Sequence, residues 1–254
     1  MSEPSDQIKR LGALLERIDR ADPRNVVAPA QTLDGADALV HEVVFSMLAW
    51  EATRAKAISA LKHLSSALVD YNELRVCLPD EVASALGPRY PLVEERSERI
   101  LAVLGDIYRR QHAMSLAHLQ TINKREARVY LDSLDGITPY VANRVALLAL
   151  GAHAMPVDGR IRGVLIRERV VDESLGVEAV CGWIERQFRA GEILGVYLAL
   201  EAAAHSPHTR HEADEAGDSR AEPQSPTDGE DSGVDDPDSA GSAPRPEHET
   251  TTGT

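Results

Sequence analysis

The stretch from Lys124 to Asp158 constrains this chain more than any other, because it specifies two helices, the tight turn between them and a carboxylate at the far end. Ala127, Val129, Tyr130, Leu131 and Leu134 recur at spacings that place them on one helical face. Gly136 follows as the residue able to take φ > 0 beyond the end of that helix. Thr138 stands where an N-cap hydroxyl belongs, and Pro139 where the first helical residue has no use for an N–H, so a second helix starts there and runs to about Gly151. Its later part, Val145 to Leu150, is apolar on every side, which predicts a buried central helix. Pro156-Val157-Asp158 then brings an acid out of that apolar run.

Two uses are open to such a hairpin. Its backbone N–H groups and the positive end of the second helix point the same way, which makes an anion site suited to a nucleic-acid phosphate. It also serves as an ordinary connection between antiparallel helices. Asp158 is open in the same way: an acid at that position caps a following helix, and a carboxylate beside a reacting centre stabilises developing positive charge.

The remaining segments read as helices too. Ile8, Leu11, Leu14, Leu15 and Ile18 form an amphipathic helix over residues 7–19, and Pro23 to Asp34 reads as a loop. Further helices are expected over residues 36–52, from a Thr53 cap through Leu68, from Pro79 to a stop at Gly87-Pro88, and over 92–112. After Asp158, three more are expected over about 160–169, 177–190 and 193–204. No strand pattern competes, so the fold class is all-α. Cys77 and Cys181 lie in apolar helical contexts and read as buried free thiols, and two cysteines do not make a four-cysteine metal cage.

The net charge of −14 sits unevenly along the chain. Residues 205–254 hold 13 acids and three arginines, a net of −10, which leaves −4 for residues 1–204. That tail has no aromatic residue, and Val234 is its only aliphatic one larger than alanine, so disorder is expected there. It either keeps the protein in solution or contacts a basic surface or a protein partner. With 43% hydrophobic residues, no membrane-length apolar run and a polar Met1–Asp6, a cytoplasmic protein without membrane contact is expected.

The hairpin Leu134-Asp135-Gly136-Ile137-Thr138 through Ala142-Asn143, with Val157-Asp158 placed so that Asp158 falls 22 residues after Gly136, resembles the helix-hairpin-helix-GPD superfamily of DNA glycosylases. The endonuclease III branch is the nearest likeness. Val43 to Thr53 and Arg96 to Ile107 resemble two earlier family helices, and the likeness spans residues 25–204. It implies two helical lobes, residues 25–151 in one and 1–24 with 152–204 in the other, and a monomer acting on double-stranded DNA. By the resemblance, Asp158 assists cleavage of the base–sugar bond.

Departures from the family pattern shape what is carried over. Tyr140 stands where bifunctional members have their lysine nucleophile, and a phenol cannot form a Schiff base, so a monofunctional glycosylase is expected. Asp135 replaces the usual proline, Thr138 the second glycine, and Gly163 an arginine, whereas Arg167 agrees. The iron–sulfur cysteines have no counterpart, so no cofactor is expected. Gly136, Thr138, Arg144, Arg160, Arg162 and Arg167 are the candidate DNA contacts, with Lys124, Arg125 and Arg128 beside them. Glu51 matches a gap-filling glutamine, and Trp50 is placed either to stack on an extruded base or to pack in the core. The rival to an enzyme is a family member that has lost activity and retains DNA or protein binding.

Overall fold

A computed structural model describes residues 4–18, 27–30 and 33–205. The acidic segment from residue 206 onward, expected to be disordered, lies outside the described residues, as does part of the Pro23–Asp34 loop. Among the described residues the chain is helical: α1 (Pro4–Arg17), α2 (Ala38–Ala49), α3 (Arg54–Ala67), α4 (Tyr71–Val76), α5 (Pro79–Leu86), α6 (Val93–Gln111), α7 (Lys124–Asp132), α8 (Pro139–Leu148), α9 (Gly159–Arg167), α10 (Val177–Gln187) and α11 (Ile193–Ala204). A short 3-10 turn, Ala117–Gln120, precedes α7.

Local chemistry sets most helix starts. An N-terminal turn leaves amides without intrahelical partners, and a short polar side chain just before it accepts from one of them. Asp37, Thr53, Asp70, Asn123, Thr138 and Asp158 each do this, accepting from the amides of Val40, Lys56, Glu73, Glu126, Val141 and Ile161. Pro79 and Pro139 open α5 and α8 at the position where a missing N–H costs nothing. α4 escapes the sequence reading because its six residues are too short to display a period.

α2 and α8 are buried along nearly their full length, polar residues such as Glu42 and Arg144 included. α2 packs on α3, α6 and α8; α5 lies on α3 and α6, α4 on α6, and α7 on α8. α9 packs on α10 and α11, and α11 on α1. One continuous apolar core joins them all. Cys181 is buried as expected, whereas Cys77, at the exposed end of α4, is only half-buried. No helix among the described residues is long and apolar enough to cross a membrane.

Candidate functional site

The hairpin is built by contact with α6. Gly136 has φ +78°, and a Cβ there would stand 2.8 Å from the Cβ of Ala102 and 2.9 Å from the carbonyl oxygen of Arg99, so only glycine lets the turn lie this close. Arg99 donates to the Gly136 carbonyl, and the Asp135 amide donates to Asp106. Asp106 is buried. Burial opposes its charge, but the Asp135 amide and Arg110, with Arg109 beyond, hold its carboxyl below the usual range. The amides of Gly136 and Thr138 donate to nothing among the described residues, and they stand at the positive end of α8.

Beyond α8 the chain returns through a buried extended segment. Asn143 on α8 donates to the Met155 carbonyl, and the Met155 amide donates to Glu185 on α10. That fixes Val157 in the core and Asp158 at the start of α9, where it is 1% exposed. One Asp158 oxygen accepts from the Ile161 amide at 3.0 Å; the other accepts from the Glu51 amide at 3.1 Å and from Arg160 Nε at 2.9 Å. The Glu51 carboxylate in turn accepts from the Gly159 amide at 2.5 Å. Two acids thus share one helix N-terminus. Burial and then the Asp158 charge push the Glu51 carboxyl above its ordinary value. Glu51 also has φ +52°, a left-handed conformation that an L side chain rarely adopts.

A buried polar cluster continues from this corner across the core. Arg160 reaches Glu201 on α11 at 3.5 Å, and Asp158 and Glu201 together outweigh its burial and raise the guanidinium's pKa. Arg144 on α8 pairs with Glu42 at 2.6 Å, donates to Ser46 at 2.6 Å, and reaches the Tyr197 hydroxyl at 3.2 Å. Between these groups stand two buried atoms that have no hydrogen-bond partner, Arg160 Nη1 and Glu201 Oε2, while the Tyr140 hydroxyl meets that of Tyr197. Burial, with Tyr197 and Glu201 nearby, raises the Tyr140 phenol well above its ordinary value, so it stays protonated at neutral pH.

The sequence matches no protein-family model and no curated protein. Among solved structures, a trapped endonuclease III–DNA covalent intermediate is similar at 15% identity and a TM-score of 0.54, over 79% of this chain and 85% of that one. A 3-methyladenine DNA glycosylase from H. pylori, bound to 1,N6-ethenoadenine, is similar at 14% identity and 0.53, over 80% and 96%. An 8-oxoguanine glycosylase/lyase from Clostridium acetobutylicum, in complex with double-stranded DNA, gives 14% and 0.52, over 80% and 70%. The chain has the fold of the endonuclease III-like DNA glycosylases.

Within this glycosylase fold, the residues singled out from sequence divide sharply. Gly136 and Thr138 form the turn, and Asp158 heads α9. Arg144, expected to face phosphate, is instead 2% exposed and neutralised by Glu42, because the wall it meets comes from α2 and α11, far away in sequence. Arg160 is held by Asp158, and Arg162 donates to the carbonyls of Leu175 and Glu173, so neither offers a free guanidinium. Arg167 is exposed and unengaged among the described residues. Trp50 is half-buried, with the guanidiniums of Arg96 and Arg99 5.6 and 5.7 Å from its ring centroid. The Glu51 carboxylate turns inward to the start of α9, where it accepts from the Gly159 amide.

Glu42, Arg96, Asp106 and Glu201 were not singled out from sequence. Arg96, fully buried, donates to the carbonyls of Met47, Trp50 and Pro91, and so closes the C-terminus of α2 and fixes the turn that carries Glu51. The signal was there: Arg96 falls in register with Ile100, Val103 and Ile107 on an apolar stripe, and Glu42 and Glu201 interrupt helices that are otherwise apolar. A charge at a core position needs a partner.

Proposed function

We propose that this protein is a DNA-repair-type glycosylase that grips duplex DNA through the α7–α8 hairpin and hydrolyses a base–sugar bond through Asp158, with water as nucleophile. One observation carries this reading. The amides of Gly136 and Thr138, left without acceptors at the start of α8, and the buried carboxylate at the start of α9 belong to a single segment, in a fold that the similar structures use as DNA glycosylases. A phosphate suits the first site, because amides and helix dipole act on it together. A carboxylate suits the second, because loss of a base leaves positive charge on the sugar. Tyr140 supplies no amine, so the chemistry is hydrolytic and forms no Schiff base.

In this structure both oxygens of Asp158 are engaged, so reaction requires the Trp50–Glu51 turn to withdraw. The left-handed Glu51 is the element suited to that motion: rotating it breaks both the Glu51 amide bond to Asp158 and the carboxylate bond to Gly159. The same engagement favours a second reading, in which the corner stays shut and the protein binds DNA without cutting it. Excision assays on duplexes with damaged or mismatched bases, run beside a binding measurement, separate the two. The enzyme reading expects release of at least one base, reduced ~100-fold or more in Asp158→Asn with binding retained. Binding without release on the whole panel leaves the second reading.

A further inference from the structure

A surface hollow of about 300 Å³ lies between α3 and α5, and Asp158 does not line it. Its floor is apolar, with Ala60, Leu86 and Tyr90 buried beneath it. Its rim carries Lys56 and His63, two turns apart on one face of α3, and Arg89 just beyond α5. All three are exposed, none has an ion-pair partner among the described residues, and no acid lines the hollow. In a chain of net charge −14, two unmatched cations, Lys56 and Arg89, around one depression are a local reversal of sign, and the His63 imidazole adds a hydrogen-bond donor.

The end of α11 supplies the complementary charge. His205, the last described residue, accepts from the Arg54 amide at 3.0 Å, in the first turn of α3 and two residues before Lys56. The described chain therefore ends against the first turn of α3, two residues along the helix from Lys56. The first acid beyond it, Glu212, follows seven residues later, within about 25 Å of extended chain. Thirteen acids against three arginines lie beyond that anchor. Tethering at such range gives each carboxylate an effective concentration in the millimolar range.

We propose that the α3–α5 hollow is an intramolecular docking site for carboxylates of the chain's own residues 206–254, gripped by Lys56, His63 and Arg89. This docking is independent of whether Asp158 is catalytic.

Zero-length carbodiimide coupling of the full chain, followed by proteolysis and mass spectrometry, tests it. The chain has four lysines, Lys9, Lys56, Lys62 and Lys124, and Lys62 lies on α3 outside the hollow. The expected result is an amide between Lys56 and a carboxylate of residues 212–249, several-fold more abundant than any adduct of Lys62. It disappears in about 1 M salt, where screening acts within about 3 Å, and falls several-fold in Arg89→Glu. Tethering without docking gives yields that decline smoothly with distance from His205 and ignore Arg89, and that pattern overturns the proposal. So does absence of a Lys56 adduct, including the case in which Arg89→Glu weakens duplex binding and the hollow takes phosphate. The wild-type pattern alone decides, should the variant fail to fold.

Discussion

Glu51 is where a single side chain sets the state of the candidate site. Its carboxyl is raised by burial and by Asp158, so the folded protein favours the protonated acid. A group raised on folding contributes fully below its unfolded pKa, and that contribution is lost as pH climbs through the folded value. Glu51 therefore weakens the protein progressively above about pH 4.5, the ordinary value for a glutamate. Glu51→Gln keeps an acceptor for the Gly159 amide and removes the repulsion. Thermal unfolding should show the variant more stable than wild type at pH 7, by ~1 kcal/mol or 2–4 °C, and equal to it near pH 4. A variant less stable at pH 7 contradicts this account of the corner. At this scale the sequence was legible wherever chemistry is local: Thr53, Thr138 and Asp158 cap the helices that follow them. Arg144 was misread because its partners, Glu42, Ser46 and Tyr197, come from helices that only the fold brings together.

Between elements, the decisive contact is that of the hairpin with α6. The positive φ of Gly136 and the absence of a side chain allow the turn to sit on Arg99 and Ala102, and Arg99 then ties down its carbonyl. Gly136→Ala combines a left-handed strain with overpacking against backbone, and should cost roughly 2–4 kcal/mol. The loss is read as a lowered denaturant midpoint with an unchanged slope. On the proposed function, DNA binding should fall as well, since the Gly136 and Thr138 amides move with the turn. The same scale explains the sequence's uneven clarity about helices. α6, α8 and α11 were placed within a residue or two at their starts because caps or long apolar stripes mark them. α4 depends on Asp70 and on packing against α6, and no periodic pattern announces it.

For the whole molecule, the buried pair Arg144–Glu42 joins α8 to α2, and Tyr197 joins α11 to α8 through Arg144. Burial opposes the Arg144 charge, but Tyr197 and Glu42 more than offset it and raise the guanidinium's pKa. Removing one partner leaves a buried charge unmatched, so Arg144→Met should lower stability by ~3–5 kcal/mol, and Glu42→Leu added to it should recover part of that loss. Chemical unfolding of the two variants measures the difference; a double variant no better than the single one refutes the pairing. The all-helical class and the hairpin were legible in one dimension. The polar interior was not, because a charge inside an apolar helix tells only that a partner exists.

That pairing also has a history in time. Glu42 emerges from the ribosome 102 residues ahead of Arg144. At ~5–20 residues per second, the nascent chain holds that acid on a strongly apolar helix without its arginine for ~5–20 s. Through that interval α2 has reason to stay near water, and the domain closes only when α8 has been made.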